Sequence, residues 1–476
     1  MPAATLTLLS PLTPPSLERT WLTSPHPRLP LVATCSADKT VRVYSLQNFT
    51  LLSTISGGHK RSVRSCAWKP LVKGESVLAT GSFDATVGIW RRWDGYGYSD
   101  DAGAGGGAGA GVEVNKSKSP DGEDEDGEEE EEEEEWRFAV LLDGHDSEVK
   151  SVSWSPAGTL LATCSRDKSI WIWEDLDDGD NNFETVAVMQ EHAGDVKWVC
   201  WHPDEECLAS ASYDDTIRLW REDIDDWGQV GCLRGHGGTV WCVEWEAAQA
   251  ERTVPVSTDT DTDTDSAGEE TERGQKWIAH HTLTGPRLVS CSDDRTIRIW
   301  EKQARIPNAS GPGAGAGASS IPSIIRPAGI DETWFEQAQL PAQHDLSIYS
   351  VAWSKRSGLI ASTGADGRIV VYQERFVGGK DKGGEPEGTE MMEVEPATAT
   401  ATAVDGEMDT DMDASADTLR TEWQVLATID AAHGVYEVNH ICWAMRADRG
   451  KKEGEEEEVL ISTGDDGQVK VWRLER

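Results

Sequence analysis

Apolar and polar residues alternate along most of this chain with the period of a β-strand that is buried on one face. Seven segments share one form of this pattern: a short apolar run, a turn that contains Asp, and a second alternating run that ends in Trp or Tyr. They occupy residues 32–44, 78–90, 161–173, 208–220, 288–300, 360–372 and 460–472. Each segment therefore predicts a strand, a tight turn and a second strand.

The spacing inside the seven segments is constant. In each one a Ser or Thr precedes the turn Asp by four residues, and the Asp precedes the final aromatic residue by six, as in Thr163, Asp167 and Trp173. The matching Asp and Trp residues of three other segments are Asp84, Trp90, Asp214, Trp220, Asp294 and Trp300. A fixed spacing of this kind indicates that one structural unit recurs along the chain.

A further strand ending in Trp lies upstream of six segments, as in VRSCAW (63–68) and VKSVSW (149–154). A His precedes this strand each time, and in the second to fifth repeats it is His59, His145, His192 and His236. Repeats of about 40 to 45 residues with such GH-like and WD-like signatures resemble the WD-repeat family, whose members form β-propellers of four-stranded blades. The resemblance implies an all-β fold: one seven-bladed propeller over residues 1–476, its blades numbered 1 to 7 below.

The repeated polar residues have a structural interpretation. In the WD-repeat family the His, Asp, Ser or Thr and Trp of one blade hydrogen-bond to each other. His145, Asp167 and Thr163 also have the residue types of a hydrolytic triad, but the same set recurs in several blades, which an active site does not require. We therefore expect no enzymatic activity. Blades 1, 6 and 7 lack the GH pair, and blades 1 and 6 end in Tyr44 and Tyr372, so their networks are expected to be incomplete.

The ends of the chain predict how the ring closes. Only residues 473–476 follow Trp472 on the third strand of blade 7, which is too few for a fourth strand. Residues 5–10 precede blade 1 and have strand character. We expect this N-terminal segment to supply the outer strand of blade 7, which leaves no open sheet edge.

The acidity of the chain is concentrated in inserts between or within the blades. The formal net charge is −41, and 13 of the 15 residues from Asp121 to Glu135 are acidic. Inserts lie near residues 91–135, 247–280, 303–333, 376–420 and 446–458, with runs such as GAGGGAGAG and TDTDTDTD. Low-complexity stretches of this kind bury too little apolar surface to offset the entropy of ordering, so all five are expected to be disordered.

Composition excludes several classes of function. The strong negative charge argues against nucleic acid and anionic membranes as partners. The nine cysteines show no CxxC pair or metal-ligand spacing, and no GxxxxGK phosphate loop occurs, so neither a metal nor another cofactor is predicted. No basic leader precedes the first apolar stretch, and no apolar run reaches the ~18 residues of a membrane span. We expect a soluble, intracellular protein.

Candidate binding residues lie at two positions per blade that face the top of a propeller: the second residue of the innermost strand and the residue before the turn Asp. The first set is Trp21, Arg64, Lys150, Lys197, Trp241, Tyr349 and Asn439, and the second includes Phe83, Arg166 and Tyr213. Blades 2 to 4 therefore present a basic and aromatic cluster, which favours an acidic or carboxylate-bearing partner. The alternative is that Glu148 and Asp195 neutralise these cations.

Several strings that the fold does not require, among them GSFDATVGIW, SRDKSIWIW, QEHAGDVKW and HGVYEVNHICW, resemble the WD-repeat subunit of the cytosolic iron–sulfur protein assembly machinery. The resemblance implies a docking scaffold that binds no cluster itself. Its implied partners are a small acidic-motif assembly factor, a large helical-repeat adaptor, a hydrogenase-like iron–sulfur carrier, and cytosolic and nuclear apoprotein clients, some with C-terminal tails that end in an aromatic residue. It implies a cytoplasmic location, with a nuclear one left open, and a functional role for Arg166. A histone-tail reader and a ubiquitin-ligase receptor remain the rival binding functions.

Overall fold

The computed structural model describes residues 4–94, 136–223, 226–256, 266–304, 332–377, 420–452, 454 and 456–475. Within them the backbone forms seven four-stranded antiparallel sheets, and the innermost strands of successive sheets contact each other in a closed ring. This confirms the predicted seven-bladed β-propeller. The second strands are buried on both faces, as in Leu160–Ser165, whereas outer strands such as Phe183–Met189 are exposed on one side. Blades that pack face to face require this difference, because only the outer strand reaches solvent.

The strands run from the centre of the ring outwards within each blade. Blade 1 contains β2 (Thr20–Pro25), β3 (Leu31–Ser36), β4 (Val41–Ser45) and β5 (Leu51–Ile55). Blade 2 contains β6 (Val63–Trp68), β7 (Glu75–Ser82), β8 (Thr86–Trp93) and β9 (Arg137–Asp143). Blade 3 contains β10 (Val149–Trp154), β11 (Leu160–Ser165), β12 (Ile170–Asp175) and β13 (Phe183–Met189). Blade 4 contains β14 (Val196–Trp201), β15 (Cys207–Ser212), β16 (Thr216–Asp223) and β17 (Asp226–Arg234).

The remaining blades follow the same order. Blade 5 contains β18 (Val240–Trp245), β19 (Leu288–Ser292), β20 (Ile297–Lys302) and β21 (Trp334–Gln339). Blade 6 contains β22 (Ile348–Trp353), β23 (Ile360–Gly364), β24 (Ile369–Phe376) and β25 (Thr421–Ile429). Blade 7 contains β26 (Val438–Met445), β27 (Glu458–Gly464), β28 (Val469–Glu475) and, as its outer strand, β1 (Thr5–Pro11).

The N-terminal strand closes the ring as predicted. Strand β1 pairs antiparallel with β28, from Thr5 opposite Glu475 to Pro11 opposite Lys470. Leu6 joins the hydrophobic cluster that contains Trp472, and Leu12, just beyond the strand, is buried between blades 7 and 1. The two ends of the chain therefore form one sheet, which removes the unpaired edge at the seam.

All five inserts interrupt connections at the same end of the blades. They lie between β8 and β9, β18 and β19, β20 and β21, β24 and β25, and β26 and β27. In an antiparallel four-stranded blade, first-to-second and third-to-fourth connections share one end, while the Asp turns and the connections between blades share the other. We call the end with the inserts the bottom face and the end with the Asp turns the top face.

Part of the insert at 247–280 is folded, which differs from the disorder expected there. The helix α1 (Ser266–Thr284) lies between β18 and β19, and Trp277 on it is 1% exposed. His281 and Thr284 are also buried, so one face of the helix packs at the helical spacing. The adjacent TDTDTD run obscured this short amphipathic pattern in the sequence.

At 446–458, Arg446 is likewise buried, within hydrogen-bond distance of Asp448 and Glu457. Most other insert residues lie outside the described ranges.

No helix in the described part of the chain combines the length and the apolar character that crossing a bilayer requires.

Candidate docking site at the mouth of the central channel

The predicted His, Asp, Thr and Trp of blade 3 lie within hydrogen-bond distance of each other. His145 Nδ1 is 2.9 Å from Asp167 Oδ2, its Nε2 is 2.9 Å from Thr163 Oγ1, and Trp173 Nε1 donates to the same Thr163 oxygen at 3.0 Å. Although burial acts to raise it, hydrogen bonds from His145 and Ser169 hold the pKa of Asp167 well below its usual range. The arrangement is a closed internal network with the His side chain buried.

The same network recurs around the ring, with variations. Blades 2, 4 and 5 repeat it with His59, Thr80, Asp84 and Trp90; with His192, Ser210, Asp214 and Trp220; and with His236, Ser290, Asp294 and Trp300. Blade 7 is also complete, contrary to expectation, because His433 reaches Asp466 at 2.9 Å and Ser462 at 2.8 Å, and Trp472 donates to Ser462. The sequence pattern includes the His of the AHGV string, so only the missing GH pair led to the expectation of an incomplete network. In blade 1, Ser16 takes the place of the His and lies 3.1 Å from Asp38.

Replacing Asp167 with Ala is expected to lower the free energy of unfolding by about 1 to 3 kcal/mol, because His145 and the Asp146 amide lose their common acceptor. Chemical denaturation of the purified chain measures this change. Asp143→Ala, at the exposed end of β9, is the matched control and should have little effect. Loss of a hydrolytic turnover with unchanged stability would instead favour the triad interpretation.

A β-bulge near the start of each innermost strand aims one side chain at the channel. The pairing register shifts between the first and third residues of all seven strands, for example between Val63 and Ser65. The residue between them leaves the regular ladder, and bulges commonly redirect side chains in this way. The seven residues are Trp21, Arg64, Lys150, Lys197, Trp241, Tyr349 and Asn439. They form a ring that we call the channel mouth.

The basic side of the mouth lies on blades 2 to 4 and is partly neutralised. Lys150 Nζ is 2.7 Å from Glu148, and Lys197 Nζ is 3.2 Å from Asp195. Arg166 is 58% exposed and lies 3.6 Å from Glu148 and 4.0 Å from Asp195. Glu148 and Asp195 thus neutralise Lys150 and Lys197, as the alternative interpretation expected, while Arg166 keeps most of its side chain in solvent.

Sequence reasoning missed Arg61, a further cation on this side. It is exposed, donates to the backbone carbonyl of Phe83 at 2.7 Å, and lies 3.3 Å from Glu148. It precedes the innermost strand in a connection between blades, where the repeat pattern assigns no role to a residue. With Arg64, Lys150, Arg166 and Lys197 it makes five cations against the two carboxylates of Glu148 and Asp195. We call these cations the basic arc.

Aromatic rings lie among the charges of the mouth. Lys150 Nζ is 4.3 Å from the Phe83 ring centroid, and Lys197 Nζ is 5.1 Å from the Trp241 ring and 5.4 Å from the Tyr213 ring. Tyr213 is 62% exposed. Cations close to aromatic rings, together with one large accessible ring, are typical of protein-binding surfaces.

The opposite side of the mouth is acidic. Trp241 Nε1 donates to Asp293 at 2.5 Å, Tyr349 donates to Glu437 at 3.2 Å, and Arg19 lies 3.0 Å from Asp465. Burial, and then the negative charge of Glu437, raises the pKa of Tyr349 to about 12. Tyr349 therefore belongs to an acidic half on blades 5 to 7, whereas Trp241 lies between the two halves, bonded to Asp293 and 5.1 Å from Lys197 of the basic arc.

Two large side chains cross the channel beneath the mouth. Trp198 of blade 4 stacks on His440 of blade 7 with ring centroids 5.6 Å apart. Burial and the charge of Arg64 lower the pKa of His440 to about 3, so this ring is neutral. A cavity of about 420 Å³ below the stack is lined by residues such as Cys66, Cys200 and Glu244, but by none of the seven mouth residues. The stack therefore divides the channel into an upper cup and a lower cavity.

The nine cysteines are all unpaired thiols. Within the described ranges no three His, Cys, Asp or Glu side chains are grouped so that they could hold a metal ion.

The fold and its repeated network define the class of protein. The family model described as "WD domain, G-beta repeat" matches residues 20–45, 49–91, 136–174, 183–221, 277–301 and 336–373, so the chain is a WD-repeat propeller. Among curated proteins, it is 62% identical over 475 residues to "Probable cytosolic iron-sulfur protein assembly protein 1" of Aspergillus flavus, covering 100% of this chain and 99% of that protein.

Proteins with the same name in two other fungi agree with this match. The chain is 65% identical over 481 residues to the Aspergillus clavatus protein, with coverage of 100% and 99%, and 61% identical over 480 residues to the Penicillium rubens protein, with coverage of 100% of both chains. The chain therefore belongs to the cytosolic iron-sulfur protein assembly protein 1 family, as the sequence strings indicated.

Proposed function

We propose that this chain is a non-catalytic docking subunit in cytosolic iron–sulfur protein assembly, and that the basic arc binds an acidic segment of its partners. The names of the relatives support the pathway. The main support for this binding site is its charge: the basic arc has five cations and only two carboxylates, and it lies beside the exposed ring of Tyr213. Charge complementarity of this kind steers a partner and fixes its orientation.

The distribution of the inserts supports the top face as the docking face. Every insert interrupts a connection at the bottom face, whereas the Asp turns and blade connections of the top face are short and carry no insert. Together the inserts hold most of the net charge of −41, and they are joined to the ring at the bottom face. An acidic partner segment is therefore repelled from the bottom face and attracted to the basic arc.

The partners fall into two groups. Assembly factors comprise a small factor with an acidic motif, a helical-repeat adaptor and a hydrogenase-like iron–sulfur carrier. Apoprotein clients, cytosolic and nuclear, receive the cluster from this complex. The cluster is cargo of the complex, and this chain holds the factors and the client next to each other without ligating it. It acts in the cytoplasm, where the names of its relatives place the process, and in the nucleus where nuclear clients are served.

Arg166→Glu is expected to reduce partner binding about tenfold or more, because it reverses the charge of the most exposed predicted cation while Glu148 and Asp195 remain beside it. Affinity purification of the tagged chain, with quantification of the iron–sulfur assembly factors recovered, measures the effect. The melting temperature should not change, because the Arg166 side chain is 58% exposed.

Arg137→Glu is the matched control, since Arg137 is exposed where the outer strand of blade 2 begins at the bottom face. It should leave recovery unchanged. Undiminished recovery with Arg166→Glu would remove Arg166 from the site. Recovery of histones or ubiquitin-ligase subunits without iron–sulfur assembly factors would contradict the proposed function itself. Depletion of the protein, followed by measurement of cluster content in cytosolic iron–sulfur enzymes, tests the pathway independently of any one residue.

A further inference from the structure

The connection that leads into blade 7 is one residue longer than its counterparts and exposes apolar side chains. In blades 2 to 6 the network His lies four residues before the innermost strand, as His344 does, but His433 lies five residues before its strand. The extra residue belongs to the HGVYE string, which the fold does not require. Val435 in this string is 96% exposed, and Tyr436 is half exposed. The string therefore presents apolar surface for which the stability of the propeller gives no reason.

A tight turn holds Val435 in solvent. The backbone N–H of Tyr436 donates to the carbonyl of His433 at 3.3 Å, so Gly434 and Val435 form the tip of the turn. Gly434 has a φ of +67°, in the left-handed region that glycine adopts without steric strain. Because the turn already fixes the backbone, a partner can cover Val435 with little further loss of conformational entropy.

Another exposed apolar side chain lies on the opposite side of the Asp turn of blade 6. Leu346, in the connection before blade 6, is exposed, and Ser347 next to it accepts a hydrogen bond from the Ala365 amide of that turn at 2.9 Å. On the other side of the turn, the amide of Ala432 donates to the carbonyl of Gly367 at 2.9 Å. Two connections with exposed apolar side chains thus lie against one short turn and form a continuous part of the top face.

The carboxylates beside these side chains outnumber the cations. Asp345 and Asp430 are exposed and share Arg368, whose guanidinium nitrogens lie 2.8 Å from each carboxylate. Glu437 accepts a hydrogen bond from the Tyr349 hydroxyl at 3.2 Å, and among the described residues it has no cation within 4.0 Å. Three carboxylates therefore share one guanidinium. The blade 6 surface, as we call it, comprises Asp345, Leu346, Asp430, Val435, Tyr436 and Glu437.

Neighbouring cations do not offset this surplus of negative charge. Lys470 lies 4.0 Å from Asp466, and Arg19 lies 3.0 Å from Asp465, so both cations have carboxylates of their own. A segment that carries Lys or Arg is attracted to such a surface, whereas an acidic segment or a nucleic-acid backbone is repelled.

We propose that the blade 6 surface docks a segment of a partner protein in which Lys or Arg residues flank an apolar side chain. The apolar side chain packs on Val435, Tyr436 and Leu346, and the cations lie next to the surplus carboxylates. The surface lies on blades 6 and 7, across the mouth from the basic arc on blades 2 to 4, so the two sites select segments of opposite charge and can be occupied together. The proposed function assigns only the basic arc and does not depend on this second surface.

Fluorescence anisotropy of labelled peptides with the purified full chain tests this at near-physiological salt. The probe is a short peptide amide that alternates Lys and Leu, and its control alternates Lys and Ser at the same length and charge. Both peptides are attracted to an acidic chain, so the ratio of their affinities reports the apolar contribution. We expect the Lys–Leu peptide to bind the wild type at least roughly threefold more tightly, because only its Leu side chains bury apolar surface.

The double variant Leu346→Ser with Val435→Ser should bring this ratio close to one, and its melting temperature should not change because both side chains are exposed. Leu71→Ser is the matched control, since Leu71 is exposed between β6 and β7 at the bottom face, and it should keep the full ratio. Asp430→Asn should weaken the binding of both peptides by roughly twofold or more. Asp178→Asn, at an exposed position between β12 and β13 at the bottom face, should have little effect.

The proposal is overturned if the wild type binds both peptides equally, or if the double variant keeps the preference for the Lys–Leu peptide. Unchanged affinities in Asp430→Asn would reject a basic partner. Should the double variant melt lower than the wild type, Val435→Ser alone decides: a reduced preference supports the surface, and an unchanged one rejects it. Sedimentation of the full chain tests a second copy as the occupant, because a dimer that the double variant dissociates would assign the surface to self-association instead. Since the peptides need no assembly factor, their failure would leave the proposed function, tested by Arg166→Glu, intact.

Discussion

Deletion of residues 1–12 is expected to lower the melting temperature of the propeller by at least roughly 10 °C. The deletion removes strand β1, exposes the edge of β28, and takes Leu6 and Leu12 out of buried positions. Each buried Leu contributes about 1.5 to 3 kcal/mol, and the lost strand pairing adds to this. The sum is near 5 kcal/mol, a large part of the stability of a typical domain, and each kcal/mol corresponds to about 2 °C in a large domain.

Calorimetry of the full chain and of the deletion variant measures this effect, and two point variants serve as matched controls. Leu6→Ala removes a side chain that is 8% exposed, whereas Leu8→Ala removes one that is 50% exposed two residues along the same strand. Only the first should lower the melting temperature clearly. Unchanged stability after deletion would contradict closure of the ring by β1, because loss of that strand should remove its backbone pairing with β28 and the burial of Leu6 and Leu12.

The fold was predictable because its determinants are local. The Asp that turns the chain and the Trp six residues later lie in neighbouring strands of one blade, so their spacing reports the hairpin directly, as in Asp167 and Trp173. The mouth residues were predictable for a related reason. Each lies at a fixed distance from the start of an innermost strand, where the bulge aims it at the channel.

Contacts between distant repeats were not predictable in this way. Trp198 and His440 meet across the channel from blades 4 and 7, and nothing in either repeat indicates the other. The pairing of Arg61 with Glu148 joins the connections before the neighbouring blades 2 and 3; Glu148 was expected to neutralise nearby cations, but the repeat pattern assigns no role to Arg61. Helix α1 was hidden for a compositional reason, because Trp277 follows a long acidic stretch that reads as disordered.

Arg287 connects that helix to the ring through buried ion pairs. Its side chain is 1% exposed, and Nη2 lies 2.9 Å from Glu246 and 2.7 Å from Glu374. The guanidinium lies 5.5 Å from the ring centroid of Trp277 on α1 and 5.2 Å from that of Trp353 in blade 6. One residue thus joins the end of β18, strand β24 and the folded part of the insert.

Arg287→Met is expected to lower the free energy of unfolding by about 3 to 5 kcal/mol at neutral pH, because it removes the cation that both buried carboxylates share and leaves Glu246 with only Arg252, 3.4 Å away. Chemical denaturation of the two proteins at neutral pH measures the difference. Lys276→Met, on helix α1, is the matched control: its partner is the exposed Glu272, so stability should hardly change.

The deficit of Arg287→Met should shrink as the pH falls. In the wild type, Arg287 outweighs the effect of burial and keeps the pKa of Glu246 below its usual range, so this stabilisation is present above the unfolded pKa of about 4.3 and is lost in acid. In the variant the same carboxylate is buried without its main cation, its pKa rises, and protonation relieves the penalty as the pH decreases. A deficit that is equal at pH values near 7 and near 5 would contradict this account and indicate that Arg287 contributes mainly by packing between Trp277 and Trp353.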